Sequence, residues 1–251
     1  PLLALTVRSF VKLEPDRGER NGFSPQITTA YYQEIFSNRR QSIFFVPPVR
    51  AVVNSILFAS SVVLISLLLG MITTYRLRGR GWMKRMFDVM VMLPLGTSAV
   101  TLGLGFILVF NQPGAGAGKG IWLIPLAHSL VAFPFVVRTL QPAIASIPPQ
   151  LKQAAAVLGA SPWQVWRQVE LPILARAASI SAIFAFTISM GEFGATTFLA
   201  RPEFPTLPVA IYRFLSLPGG LNYGQAMAMA TILLMICAVG IALLEWLERR
   251  A

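Results

Sequence analysis

The sequence QAAAVLGASPWQVWRQVELP runs from Gln153 to Pro172 and is more polar than the strongly apolar segments on either side of it. Pro148 and Pro149 precede it, and they predict a helix start because proline's missing N–H costs nothing in a first turn. Gly159 fits the left-handed position that ends a helix. We therefore expect two short helices that meet near Gly159, with membrane spans on either side.

The second of these helices begins with a capping-box sequence. Ser161 is the expected N-cap, Pro162 the first helical residue and Gln164 the partner that reaches back to the cap. Leu171 and Pro172 are expected to stop this helix just before the next span. Short helices are marginal alone in water, because nucleation is costly and few hydrogen bonds follow it. A packing partner is therefore expected.

Small residues in the first helix would let such a partner approach the backbone closely. Their spacing resembles the EAA loop of ABC-importer permeases, which reads Glu-Ala-Ala, three residues, Gly, nine residues, Ile, one residue, Leu-Pro. Every interval matches in this chain, with Gln153 in place of Glu and Val169 in place of Ile. An ordinary amphipathic loop between spans is the alternative, and the matched positions at fixed spacing disfavour it.

The resemblance implies an all-α polytopic membrane protein with the type I ABC importer permease fold, in a bacterial or archaeal plasma membrane. It also implies that the loop docks on a cytoplasmic ABC ATPase subunit, which binds the ATP, so no cofactor is expected in this chain. Further implied partners are an extracytoplasmic solute-binding protein, a second permease half or subunit, and the lipid bilayer. The implied docking residues are Gln153, Ala154, Ala155, Gly159, Leu171 and Pro172.

The composition independently places the chain in a membrane. Of its 251 residues, 55% are hydrophobic and 12% are charged, whereas a soluble domain carries about 25% charged residues. The net charge of +11 raises the question of nucleic acid binding. The basic residues, however, lie in loops between apolar segments and form no continuous face. One cysteine, Cys237, cannot build a disulfide framework.

The apolar segments predict five complete spans and one truncated span. The complete spans lie near 51–74, 89–110, 121–140, 173–193 and 223–244. At about 1.5 Å per residue, each can cross a hydrocarbon core of about 30 Å. Residues 1–7 resemble the end of a span whose beginning is missing, 8–49 form an outer loop, and 50–248 form the transmembrane domain with its coupling loop at 150–172. We therefore expect a fragment, or the second half of a longer permease.

Two further expectations concern irregular parts of these segments. Pro94 is expected to kink the second span, and Gly96, Gly103 and Gly105 to allow close helix contact. Residues 28–36 predict a short helix, which either lies at the membrane surface or stands in an exposed loop without a partner.

The basic residues orient the spans. Residues 76–85 contain five Lys/Arg, whereas residues 111–120 contain one. The loop 76–85 is therefore expected in the cytoplasm by the positive-inside rule. The segment 8–50 carries seven Lys/Arg and four acids, which counts against its outer placement, although long loops weigh less under this rule. The glycine-rich segment 111–120 does not match a phosphate-binding loop. Pro113 lies where that motif requires glycine, and Gly120 lies where it requires serine or threonine.

Polar residues inside the spans are candidate functional residues. His128 either lines a pathway or, as is commoner, hydrogen-bonds within the bundle. The sequence places no second ligand near it, so no metal site is predicted. The segment 189–195, SMGEFGA, resembles permeases for ferric iron, thiamine, molybdate and sulfate. That resemblance places Gly191, Glu192 and Gly194 near an outer gate. Glu192 could equally cap a neighbouring turn or reach water.

The resemblance to the EAA loop therefore implies the permease subunit, or C-terminal half, of a binding-protein-dependent ABC importer. Ferric iron or thiamine is the favoured substrate within the resemblance, and molybdate or sulfate is the alternative. A secondary transporter usually repeats its spans and needs no docking loop. A membrane-embedded enzyme needs paired carboxylates or a His-rich cluster, which one histidine and one deep glutamate do not supply. We therefore predict no catalytic residue.

Overall fold

The computed structural model describes residues 2–12, 26–36, 48–76, 81–110, 121–201 and 204–250. Within these ranges the regular secondary structure is helical except for one antiparallel pair of two-residue strands, β1 (Val11–Lys12) and β2 (Gln26–Ile27). The helices are α1 (Leu2–Ser9), α2 (Ala30–Phe36), α3 (Pro48–Arg76), α4 (Trp82–Met92), α5 (Ala99–Phe110), α6 (Leu123–Ala145), α7 (Pro149–Val157), α8 (Pro162–Val165), α9 (Leu171–Gly191), α10 (Gly194–Leu199), α11 (Leu207–Ser216) and α12 (Gly220–Arg250).

Three long helices, α3, α6 and α9, pack against one another at the centre of the bundle. The α3–α6 crossing is close at Gly70, where an added Cβ would lie 2.6 Å from Cγ1 of Val136. Val62 and Ala132 are fully buried beside it. Small residues at such a crossing let two helices approach closely, which is a main source of helix association in lipid.

A second layer of helices, α1, α2 and α11, packs against α12. The predicted helix at 28–36 is present as α2, but it is not a partnerless loop helix. Tyr31 is buried and its ring lies against Gly224 of α12. Tyr32 lies 2.8 Å from the Ser9 hydroxyl, and Arg8 donates to the Tyr223 hydroxyl at 3.0 Å.

Four helical segments of the described chain are long and apolar enough to cross a membrane: Pro48–Arg76, Leu123–Ala145, Pro162–Gly191 and Gly220–Leu243. The second predicted span is not one straight helix. It consists of α4 and α5, which are bent by 98° at a break, so the count reaches five only if this pair is one span. Pro94 lies in a 3₁₀ turn, Leu93–Gly96, which ends the first of the two segments, and the bend follows between Gly96 and Ala99. Proline stops α4 because it lacks an N–H and clashes with the preceding turn.

Two other expectations need correction. The helix that begins at Pro162 does not stop at Leu171 and Pro172, since it continues into α9 as one segment of 30 residues. Of the three glycines expected at close contacts, Gly103 alone is at one. An added Cβ at Gly96 or Gly105 would meet nothing within 4 Å among the described atoms. The predicted turn at 111–120 lies outside the described residues.

Candidate functional site

The coupling loop, residues 150–172, is built from local capping motifs. Gly159 has a φ of 84°, and its N–H bonds to Ala156 O at 3.0 Å while the N–H of Ala160 bonds to Ala155 O at 3.0 Å. This pair of bonds is a Schellman motif, which ends a helix with a left-handed residue. The prediction that Gly159 ends this helix in a left-handed conformation is therefore confirmed.

The capping box at the start of α8 is also confirmed. The Gln164 side chain accepts from the Ser161 N–H at 2.7 Å, and the Ser161 hydroxyl accepts from the Gln164 N–H at 3.4 Å. Two backbone donors that would otherwise lack a partner at the helix start are thereby satisfied.

A π-helical turn, Trp166–Glu170, joins α8 to α9. The N–H of Leu171 bonds to Trp166 O, five residues back. Pro172, which has no N–H, follows directly in the first turn of α9, where a missing donor is tolerated. The proline is therefore accommodated inside a continuous helix, which explains why it does not stop the helix.

Apolar side chains of the coupling loop are exposed. Val157 is 88% exposed, Leu158 87% and Trp163 63%, and the Trp163 and Trp166 rings stack at 4.8 Å. Of the predicted docking residues, Gln153, Ala154, Gly159 and Pro172 are exposed, whereas Ala155 and Leu171 are half-buried. The predicted residues thus share one exposed loop at the end of the bundle where α3 and α6 finish.

Glu170 is a site residue that the sequence pattern did not reveal. It is 5% exposed, accepts a hydrogen bond from the Tyr75 hydroxyl at 2.5 Å and forms an ion pair with Lys152. Its position directly before Leu171 and Pro172 offered one signal, an acid at the membrane edge. The sequence gives no distance between Lys152 and Glu170, so the pair required the fold.

The second candidate region is the break between α9 and α10, called the outer break here (residues 189–196). The Glu192 carboxylate accepts from the N–H of Ala195 at 3.0 Å. Glu192 therefore caps the first turn of α10, which is one of the two roles expected for it.

His128 ties α6 to both sides of the outer break. Nδ1 lies 2.9 Å from the Ser189 hydroxyl and Nε2 lies 2.6 Å from the Thr196 hydroxyl. Thr196 donates its own hydroxyl hydrogen to Glu192 O at 2.9 Å. Nε2–H must then donate to Thr196, and Nδ1 accepts from Ser189. His128 is 1% exposed, so the expectation of hydrogen bonding within the bundle is confirmed.

Two glycines bring α5 and α10 into backbone contact. A Cβ on Gly103 would lie 2.7 Å from the Ala195 Cα, and one on Gly194 would lie 3.1 Å from the Val100 N. Gly194, one of the predicted gate residues, is therefore a packing position against α5. Gly191 is exposed and has nothing within 4 Å of an added Cβ in the described part of the chain.

Comparison with known proteins places this architecture in a family. A family model described as "Binding-protein-dependent transport system inner membrane component" matches residues 66–251. The provisionally named 2-aminoethylphosphonate transport system permease protein PhnV of Salmonella typhimurium is 30% identical over 176 residues, which are 70% of this chain. The chain spans 64% of the length of PhnV.

Two relatives from Escherichia coli align over more of their length. The molybdenum transport system permease protein ModB is 30% identical over 218 residues, covering 81% of this chain and 94% of ModB. The spermidine/putrescine transport system permease protein PotC is 28% identical over 245 residues, covering 95% of this chain and 84% of PotC.

Solved structures share the fold. A bacterial alginate ABC transporter, crystallised with an alginate pentasaccharide-bound periplasmic protein, superposes with a TM-score of 0.67 at 19% identity, over 89% of this chain and 83% of that chain. The predicted all-α permease fold is therefore confirmed. Because the family model covers most of the chain, this protein belongs to the family of binding-protein-dependent transport system inner membrane components.

Proposed function

We propose that this chain is the transmembrane subunit, or one half of it, of an ATP-driven importer that takes a small solute from an extracytoplasmic binding protein. The coupling loop docks on a cytoplasmic ABC ATPase subunit. Gln153, Ala154, Ala155 and Gly159 form the contact, and Leu171 and Pro172 lead into the spanning helix.

The observation that carries this proposal is the exposed apolar surface of the coupling loop. Val157 and Leu158 are almost fully exposed beside Gly159. Contiguous apolar side chains at an exposed site mark an interaction surface. The loop is held in shape by its own caps rather than by a buried core, since every side chain of α7 is described and none is buried. Such a surface suits a partner that arrives from outside the bundle.

The connection from this loop to the far end of the bundle supports a mechanical role. The helical segment Pro162–Gly191 is 30 residues long, or about 45 Å at the usual rise. It runs from the coupling loop to the outer break without interruption. A displacement of the loop would therefore reach Gly191, Glu192 and Gly194 as a rigid-body movement. We place the outer gate at these residues.

The named relatives bear on the transported solute. Their names specify 2-aminoethylphosphonate, molybdenum and spermidine/putrescine. The molybdate alternative has the support of ModB, which the chain spans almost completely. Ferric iron and thiamine, the solutes favoured within the family resemblance, remain predictions. Uptake of molybdate, 2-aminoethylphosphonate, ferric iron and thiamine by proteoliposomes that contain the whole transporter would identify the solute.

Gly159→Asp tests the docking surface. The variant is expected to insert into the membrane normally, to lose co-purification with the ATPase subunit, and to reduce uptake at least tenfold, because it adds a charge at the centre of the contact. Co-purification in detergent and uptake in proteoliposomes are the two measurements.

Gly219→Asp is the matched control, because Gly219 also has a positive φ, of 113°, and open space around it. It precedes α12 on the side opposite to the coupling loop in the predicted topology. Its ATPase co-purification should equal that of the native protein. Normal ATPase binding and normal uptake by Gly159→Asp would overturn the proposed function.

A further inference from the structure

We propose that Lys152, Glu170 and Tyr75 form a strut that makes the coupling loop and the base of the bundle move as one body. All three act as positioning residues for transport. The inference rests on the proposed function and deepens it, since it assigns the side chains that pass movement from the docked loop into the membrane.

The first observation is the convergence of three elements on one carboxylate. Lys152 of α7 pairs with Oε1 of Glu170, and the Tyr75 hydroxyl in the last turn of α3 donates to Oε2. Glu170 itself is the last residue of the π-helical turn that leads into α9. Each carboxylate oxygen thus faces a different element, so the charge links α7 and α3 to the start of α9.

The second observation is the asymmetry in how these elements are anchored. Tyr75 packs on a buried apolar cluster formed by Ile144, Ile147 and Leu174, so its position is fixed by the bundle. Helix α7, whose side chains are all described, buries none of them. The ion pair from Lys152 is therefore a specific attachment of α7 to the bundle, since no apolar side chain of α7 is buried.

The third observation is the burial of Glu170. A carboxylate that is 5% exposed is stable only with partners that offset its lost hydration. Charge-assisted hydrogen bonds are short and directional. Separating the coupling loop from α3 would expose or orphan this charge, so the elements are held together through the transport movement.

Single substitutions test the strut in the complete transporter, reconstituted with its ATPase subunits and binding protein. Glu170→Gln, Lys152→Met and Tyr75→Phe are each expected to retain co-purification with the ATPase. Glu170→Gln and Lys152→Met are expected to lower the solute transported per ATP hydrolysed about tenfold, which is the size of coupling that single positions carry. Tyr75→Phe is expected to lower it less, because it keeps the ion pair. Arg50→Met is the control for loss of a cation, since Arg50 is exposed at the other end of α3 and should leave this ratio unchanged.

The double variant Lys152→Met with Glu170→Gln separates a transmitting role from a structural one. Removing both charges is expected to return the unfolding temperature to near that of the native protein, because no buried charge is left unpaired. The transported solute per ATP should nevertheless stay low, because the link is still missing. A purely structural pair would recover both quantities.

Two results would overturn the inference. One is native coupling in Glu170→Gln, and the other is native coupling in the double variant. Either result together with loss of ATPase binding in Gly159→Asp would reject the strut and leave the proposed function standing. Native ATPase binding and uptake in Gly159→Asp would instead reject the proposed function itself.

Discussion

The coupling loop and the outer break both interrupt helices, and a glycine is important at each. The physical requirement for glycine differs between the two regions. At Gly159 the backbone is left-handed and an added Cβ would meet nothing within 4 Å of the described atoms. At Gly103, which packs on the outer break, the backbone is helical and an added Cβ would lie 2.7 Å from the Ala195 backbone. Gly159 is therefore required for its left-handed backbone, whereas Gly103 is required because a side chain would not fit.

The coupling loop is therefore a surface exposed to a partner, whereas the outer break is already packed against other helices of the bundle. The coupling loop keeps its shape through local hydrogen bonds and leaves its apolar side chains exposed. The outer break is held from outside, by His128 on α6 and by the close approach of α5. The predictions below change one region at a time, and each has a control from the same helix or the same residue.

The largest effect is expected from His128→Ala at the outer break. It removes both hydrogen bonds that span the break, and an unsatisfied buried polar group costs about 1–3 kcal/mol. The cavity left by the buried side chain adds a further loss. Ser129→Ala is the control, because Ser129 is buried on the same helix but bonds only to Pro125 O of its own helix, at 2.6 Å.

Thermal unfolding of the purified chain in detergent measures this difference. The single cysteine, Cys237, is partly buried and its labelling by a thiol-reactive dye reports unfolding. Equal unfolding temperatures for the His128 and Ser129 variants would show that the network across the break contributes nothing.

A smaller loss is expected from Gly103→Ala. The new methyl group would overlap the backbone of α10, and overpacking of this kind costs about 1–3 kcal/mol. Gly105→Ala, two residues along α5, meets no described atom within 4 Å. It should stabilise the helix by about 0.5–1 kcal/mol, since alanine has the higher helix propensity. The same unfolding assay should therefore give shifts of opposite sign, and shifts of the same sign would contradict the close contact at α10.

The smallest effect on stability is expected from Gly159→Ala. A left-handed conformation costs an alanine about 1 kcal/mol, and the strain is confined to an exposed loop. Gly159→Asn should cost less, because asparagine adopts this conformation more readily. ATPase co-purification should decrease in the order glycine, asparagine, alanine while the unfolding temperature changes little. A large fall in unfolding temperature for Gly159→Ala would show that the loop is part of the core.

Local rules made much of the coupling loop predictable. The end of α7 at Gly159 and the start of α8 at Ser161 depend on backbone geometry within a few residues, which the sequence specifies directly. A kink at Pro94 was predicted for the same reason, but the 98° bend lies beyond it, between Gly96 and Ala99, and neither that position nor the angle was predicted. The stop at Pro172 was predicted wrongly: a π-helical turn precedes it, and Pro172 lies in the first turn of α9, where proline is tolerated.

Relations between distant residues could not be predicted in this way. Nothing in the local sequence distinguishes Gly103, which touches α10, from Gly105, which does not. His128 was a lone polar residue until Ser189 and Thr196 were placed beside it, 61 and 68 residues away along the chain.

The sequence by itself determined the apolar segments, the caps of the coupling loop and the membership of the membrane class, because hydropathy and backbone preference act over short stretches. Only the tertiary structure decided which helices touch, which glycine is tight, and that the Glu170 carboxylate meets Lys152 and Tyr75. Contacts depend on how whole helices cross, and the crossing is set by the packing of many side chains together.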